Sequence, residues 1–202
     1  LAGDDPEELA IVLNGIVENY RELRERLRAA GHEFTSETDA ETVTHLIEEY
    51  YEGDLVEATR LAFNELEGHF AFVAIHRDHP GVLVGARHQC PLVVGVGKGE
   101  TFLASNAVAF LRETREVHFP EDGDLVVITP EGARHVRADD GSAIERELIV
   151  LDWDDESAEK AGFETFMLKE IYEQPEAVAE TIGDRVRHGR LELEGLGMND
   201  DE

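Results

Sequence analysis

The sequence predicts an α+β fold in which helices pack on antiparallel sheet. Three segments within the first 68 residues repeat their apolar positions every three or four residues, as helices with one buried face do. From His69 the period changes to two, and short apolar runs alternate with turn residues as far as Arg137. Helices followed by several strands imply a layered architecture, one layer of each lying over a shared core.

The elements follow in order. ELAIVL (8–13) reads as a buried strand running into Asn14-Gly15. Asn-Gly between apolar runs is the strongest short-range turn signal, because both residues tolerate positive φ. A side-chain amide beside an unhindered backbone N–H is also the donor pair that a developing oxyanion needs. The residues alone leave both readings open. NYRELRERLRAAG (19–31) is helical, with Tyr20, Leu23 and Leu27 on one face and Gly31 as its stop. The polar loop HEFTSETDAE follows. From Glu41, the spacing of Val43, Leu46, Ile47 and Tyr50 marks a second helix, with Thr38 or Asp39 as its N-cap. A third helix spans 54–68, with Leu55, Ala58, Leu61, Ala62 and Leu66 on one side.

Strands are expected at 69–76, 82–87, 91–97 and 101–105. Residues 119–137 read as a strand and a hairpin through Pro130-Glu131-Gly132. DWDDESAEKAG (152–162) is a charged connector, and 163–186 is expected to be helical in two stretches broken near Pro175. The last eight residues, GLGMNDDE, read as a frayed end.

Charge sets the chain apart. Among 202 residues, 46 Asp and Glu oppose 18 Lys and Arg, a formal net charge of −28. The acid is dispersed along the chain, so it is not an acidic arm. At 42% hydrophobic, the composition excludes a disordered acidic protein. Self-repulsion of this size destabilises a compact state at low ionic strength, and in molar salt the screening length falls to about 3 Å. A cytoplasmic protein of an extreme halophile is therefore expected. Its melting temperature should rise steeply between dilute and molar KCl; a flat or falling curve contradicts this reading.

Other classes drop out. No basic patch is present to meet phosphates, so nucleic acid is not an expected partner. No run reaches membrane-span length, and the chain does not open with a signal-peptide pattern. Cys90 is the single cysteine, which excludes an internal disulfide and a cysteine-based zinc cluster. Lacking a third orienting group, it reads as a small buried hydrophobe rather than a nucleophile. The nine histidines form no H-E-x-x-H or i,i+4 pair, and HRDH (76–79) leads into a Pro-Gly turn, so neither metal nor cofactor is expected.

Taken together, LNGIVENYRELRERL, SETDAETVTHLI, ELEGHFAFVAI, LVGARHQCPLVVGVGKGETFLASNAVAFL and FMLKEIYEQP resemble consecutive blocks of the glutamine–fructose-6-phosphate aminotransferases over residues 9–186. The first two blocks mark the glutaminase domain of class II amidotransferases. The resemblance implies an αββα sandwich of the N-terminal-nucleophile hydrolase type, lacking its opening strands here. It implies a glutaminase domain over 1–151, a linker over 152–162 and the start of a sugar-phosphate isomerase domain over 163–202.

By the same resemblance, the Asn14 amide and the Gly15 N–H form an oxyanion hole, and Asp39 accepts the α-ammonium of glutamine. The nucleophilic cysteine is absent, residue 1 being Leu, as is the family's H-T-R-W-A-T-H-G block. The chain as it stands is expected to be inactive. In an intact enzyme, ammonia from glutamine would pass to fructose 6-phosphate, in a homodimer built mainly through the isomerase domain. Another class II amidotransferase, such as an amidophosphoribosyltransferase, and a non-catalytic interaction module are the alternatives.

Overall fold

The computed structural model describes residues 8–152, 163–183, 186–187 and 190–191. They fall into two compact units, within Leu1–Trp153 and Asp154–Glu202.

The first strand, β1 (Leu9–Val17), does not turn at Asn14-Gly15. It pairs antiparallel with β2 (Gly68–His76) along its whole length, Asn14 opposite Ala71 and Gly15 opposite Phe70. The expected corner is therefore corrected to a continuous strand. Gly15 takes φ +96° inside the ladder, where glycine marks a close backbone approach.

Three helices follow the expected order. Helix α1 (Tyr20–Ala30) buries Leu23 and Leu27 and ends at Gly31, whose left-handed φ of +110° lets its N–H return to the Arg28 carbonyl. Helix α2 (Asp39–Tyr50) starts two residues before Glu41. Thr38 caps it, its hydroxyl accepting the Glu41 N–H at 3.3 Å, and Asp39 is the first helical residue. Helix α3 (Leu55–Glu65) is capped by Asp54, whose carboxylate accepts the Val56 and Glu57 N–H groups.

The remaining strands of this unit are β3 (Leu83–His88), β4 (Val93–Val96), β5 (Thr101–Ala104), β6 (Glu116–His118), β7 (Asp124–Thr129), β8 (Gly132–Arg137), β9 (Ala143–Ile144) and β10 (Ile149–Val150). The hairpin through Pro130-Glu131 joins β7 to β8, pairing Thr129 with Gly132. Six strands form one antiparallel sheet in the order β1-β2-β3-β7-β8-β9, and four form a second in the order β10-β6-β4-β5. Strands β6, β9 and β10 are two or three residues long, too short for an alternating pattern to announce them.

The alternation along β2 explains the layers. Phe70, Phe72 and Ala74 enter a core with Leu23 and Leu27 of α1, Val43, Leu46 and Ile47 of α2, and Leu55, Ala58 and Ala62 of α3. Ala71 and Val73 face the other way, onto Val94 and Leu103 of the second sheet and Leu92 just before β4. The order is helices, sheet, sheet. A sheet central to two layers is apolar on both faces, so β2 reads as a nearly continuous hydrophobic run.

In the second unit, α4 (Phe166–Gly183) runs unbroken through Pro175. The expected break is thus corrected. Proline fixes φ close to the helical value and removes one N–H, which weakens a helix without necessarily ending it. Residues 186–187 belong to a short hairpin, β11 (Val186–Arg187) with β12 (Arg190–Leu191), rather than to the helix. The charged connector, apart from Asp152, and the expected frayed end lie outside the described residues. No described helix is long and apolar enough to cross a membrane.

Candidate functional site

Asn14 and Gly15 lie on β1, the open edge strand of the six-stranded sheet, and Asp39 bonds to the same strand. Among the described residues β1 pairs only with β2. The Glu18 N–H donates to the Glu67 carbonyl at 2.8 Å and the Arg77 N–H to the Glu8 carbonyl at 2.7 Å, which sets the paired positions of this ladder at even numbers on the β1 side. In an antiparallel ladder the intervening residues turn their amides away from the partner strand. Val17 obeys this: its N–H donates to Asp39 Oδ2 at 2.9 Å. By the same alternation the Gly15 amide falls on that edge, two residues from the point that Asp39 holds.

Asp39 is suited to a second task. Its Oδ1 accepts the Ala40 N–H at 2.9 Å, so each oxygen takes one backbone donor and keeps a further lone pair. The residue is half-buried, and its carboxylate sits at the N-terminus of α2, where the helix favours negative charge.

Asn14 faces the other side of β1 from the buried Leu9, Ile11 and Val17. It opens onto a cleft of about 160 Å³ between the sheets, lined also by Ala71, Val73, Leu92 and Leu103. Around Gly15 there is no room for a side chain. A Cβ would lie 2.9 Å from Phe70 Cα and 2.8 Å from Cys90 Sγ, and closer still to the His69 carbonyl oxygen. Cys90 is thus a packing neighbour of Gly15, half-buried among the residues between the sheets.

A buried carboxylate two residues on, which no spacing in the sequence singles out, holds Asp39 in place. Glu41, in the same S-x-T-D-x-E block, is buried and accepts four hydrogen bonds. These come from the Thr35 N–H (2.6 Å) and hydroxyl (2.7 Å) and from the Ser36 N–H (2.7 Å) and hydroxyl (2.6 Å). Burial opposes its ionisation, but these donors override burial and hold its pKa down at about 2, against an ordinary 4.5. The carboxylate therefore ties loop 33–38 to the first turn of α2, beside Asp39. Arg24 supports the same loop from α1: it is buried, donates to the Ser36 carbonyl and lies over the Phe34 ring at 4.5 Å. Asn19, the second Asn of the N-G-I-V-E-N block, fixes the exit of β1. Its amide nitrogen donates to the Glu65 carbonyl at 2.8 Å and its oxygen accepts the Glu67 N–H at 3.1 Å.

A prediction about Glu41 follows from linkage. Its folded pKa lies below its unfolded one, so its contribution is fully present above pH 4.5 and is lost as pH falls towards 2. The shift amounts to about 3 kcal/mol at neutral pH. Glu41→Gln is expected to lose a stabilisation of that order at pH 7 in urea melts, and to lose less than the parent on acidification through this window.

Known proteins resemble this chain over much of its length. The family model described as a glutamine amidotransferase domain matches residues 1–112. The glutamine–fructose-6-phosphate aminotransferase [isomerizing] of Thermus thermophilus is 49% identical over 193 residues, covering 95% of this chain and 32% of that protein. The corresponding protein of Methanosarcina mazei is 42% identical over 212 residues, covering all of this chain and 34% of its own length. The chain thus spans about a third of the length of these relatives. Among solved structures, glutamine phosphoribosylpyrophosphate amidotransferase from B. subtilis, complexed with ADP and GMP, superposes with a TM-score of 0.58 at 22% identity. It covers 69% of this chain and 31% of that one. That likeness shows that the two chains share a fold over this region.

Proposed function

The chain belongs to the glutamine amidotransferase domain family, and from that premise we propose that its first unit is the glutamine site of an isomerising aminotransferase making glucosamine 6-phosphate from fructose 6-phosphate. The observation that carries this reading is the Asp39 carboxylate, held by the Val17 N–H on the same strand edge as the Gly15 amide.

The chemistry assigned to these residues is as follows. A thiolate from a cysteine outside this chain attacks the side-chain amide carbon of glutamine. The new S–C bond turns the carbonyl oxygen into an oxyanion, and Asn14 Nδ2–H and the Gly15 N–H donate to it. Collapse of the intermediate, with a proton delivered to its nitrogen, breaks the C–N bond, expels ammonia and leaves a thioester that water hydrolyses to glutamate. Asp39 uses its spare lone pairs to accept the α-ammonium of glutamine, a charge-assisted hydrogen bond that orients the substrate.

Sequence identity of 42–49% to the aminotransferases supports fructose 6-phosphate as the acceptor. In this reading residues 1–151 are the glutaminase domain, 152–162 the linker and 163–202 the start of the isomerase domain, through which the enzyme dimerises. Exposed Met167, Ile171, Tyr172 and Val178 on α4 give that segment an apolar surface of the kind a further domain covers. The net charge of −28 supports a cytoplasm of high salt.

The test is an assay of the full-length gene product in molar KCl with glutamine and either of two acceptors. Glucosamine 6-phosphate formed from fructose 6-phosphate is the expected result. Turnover with phosphoribosyl pyrophosphate alone, or no glutamine-dependent turnover, contradicts the proposal.

A further inference from the structure

We propose that His32, His45 and Glu48 form a zinc site that clips the end of α1 to α2. His32 stands directly after Gly31, the cap of α1; His45 and Glu48 lie one turn apart on one face of α2. One ligand atom from each can be chosen so that all three lie within 4.8 Å of one another.

The spacings fit one ion. His32 Nδ1 and His45 Nδ1 are 3.2 Å apart, and His45 Nδ1 is 3.3 Å from Glu48 Oε2. Zinc bonds of about 2.0–2.1 Å in a tetrahedron separate neighbouring ligand atoms by about 3.3–3.4 Å.

Hydrogen bonds span similar distances, so the protons matter. His32 Nε2 is 2.9 Å from Glu49 Oε2. A carboxylate only accepts, so Nε2 is the donor in that contact, which leaves Nδ1, beside His45, as the ring's ligand atom. A histidine held by a carboxylate through its far nitrogen is the usual outer shell of a metal ligand. The atom Glu48 Oε2 is buried yet takes no hydrogen bond of good geometry.

The rings are also fixed in advance. His45 is fully buried, packs on Phe34 at 4.2 Å between centroids and meets the His32 ring edge-on at 5.0 Å. Two histidines and a carboxylate suit a first-row divalent ion such as zinc, with a fourth position left for water. The site lies six residues along α2 from Asp39, about 9 Å of helix rise, so its role is to brace the α1–α2 connection and not to touch glutamine. No sequence motif announced it, because the histidines are thirteen residues apart and only the loop after Gly31 brings them together.

The experiment is a thermal melt of the metal-free full chain in molar KCl, with and without ZnCl₂, beside Co²⁺ absorption spectra. At a hundredfold excess over Kd, zinc is expected to raise Tm by roughly 5–10 °C. Cobalt is expected to show the intense visible bands of tetrahedral coordination. Both responses should vanish in His32→Ala and in Glu48→Gln, which keeps the side chain's shape, and Glu49→Gln should weaken zinc by roughly 10–100-fold. No response in the parent chain, or a response retained in either ligand variant, overturns the proposal.

Discussion

Asn14→Ala is expected to lower kcat for glutamine by about 10²–10³-fold while leaving the ammonia-dependent reaction unchanged. Asn14 is exposed on β1 and its backbone pairs with Ala71, so truncating the side chain removes no core packing. In the proposed role, what disappears is one donor aimed at an oxygen that becomes negative only in the transition state. Donors of that kind act on kcat with little effect on KM. Asn14→Asp sharpens the test: it keeps the shape, replaces the donor by an acceptor, and should be at least as damaging. Equal losses with glutamine and with ammonia would show that the substitution harms the fold or the acceptor half instead. The measurement is steady-state kinetics of the full-length protein with each nitrogen source.

Gly15→Ala is expected to cost about 3–5 kcal/mol of stability, summing a strained positive φ and an overpacked contact, and to abolish glutamine turnover. Two physical reasons coincide at this residue. Its φ of +96° is one that residues with a Cβ rarely adopt, and the Cβ would press on the β2 backbone at His69 and Phe70 as well as on Cys90 Sγ. The backbone cannot retreat without breaking the β1–β2 ladder, although the thiol can turn aside. A companion Cys90→Ala in the Gly15→Ala background is therefore expected to recover only a minor part of the loss. Urea melts measure both. A Gly15→Ala chain within about 1 kcal/mol of the parent would contradict the close approach, because surface changes normally fall inside that range.

Much of the architecture was legible in the residues, for reasons that differ by element. Helices α1–α3 each bury one stripe, so Leu23 and Leu27, Leu46 and Ile47, and Ala58 and Ala62 announce themselves by spacing. Thr38 marks one start through its side-chain oxygen and Gly31 marks a stop, whereas the Asp54 cap showed only in the structure. The central strands were legible from apolar runs bounded by turn residues. Asn14-Gly15 was misread as a corner because the Asn-Gly rule is local, whereas the register with Ala71 and Phe70 is set by a strand more than fifty residues away. Pro175 is a second local signal that the fold overrides, since the lost hydrogen bond does not end the helix.

The site was legible only in part. Asn14, Gly15 and Asp39 came from the resemblance of short blocks and not from spacing. Glu41 gave no separate signal, because an acid in the first turn of a helix is usually a solvated residue. Its burial under four donors from Thr35 and Ser36 exists only once the loop has folded back on α2. The structure therefore adds the support for Asp39.

The most direct measurement is KM for glutamine and for ammonia in the full-length protein carrying Asp39→Ala and Asp39→Asn. Loss of the partner to a desolvated ammonium costs about 2–5 kcal/mol, so KM for glutamine should rise at least about thirtyfold in both variants while KM for ammonia stays put. Asn keeps an acceptor for the Val17 N–H, so a large effect there isolates the charge from the strand–helix tie. If Asp39→Asn binds glutamine as the parent does, or if both nitrogen sources suffer alike, Asp39 only caps a strand edge and does not hold the substrate.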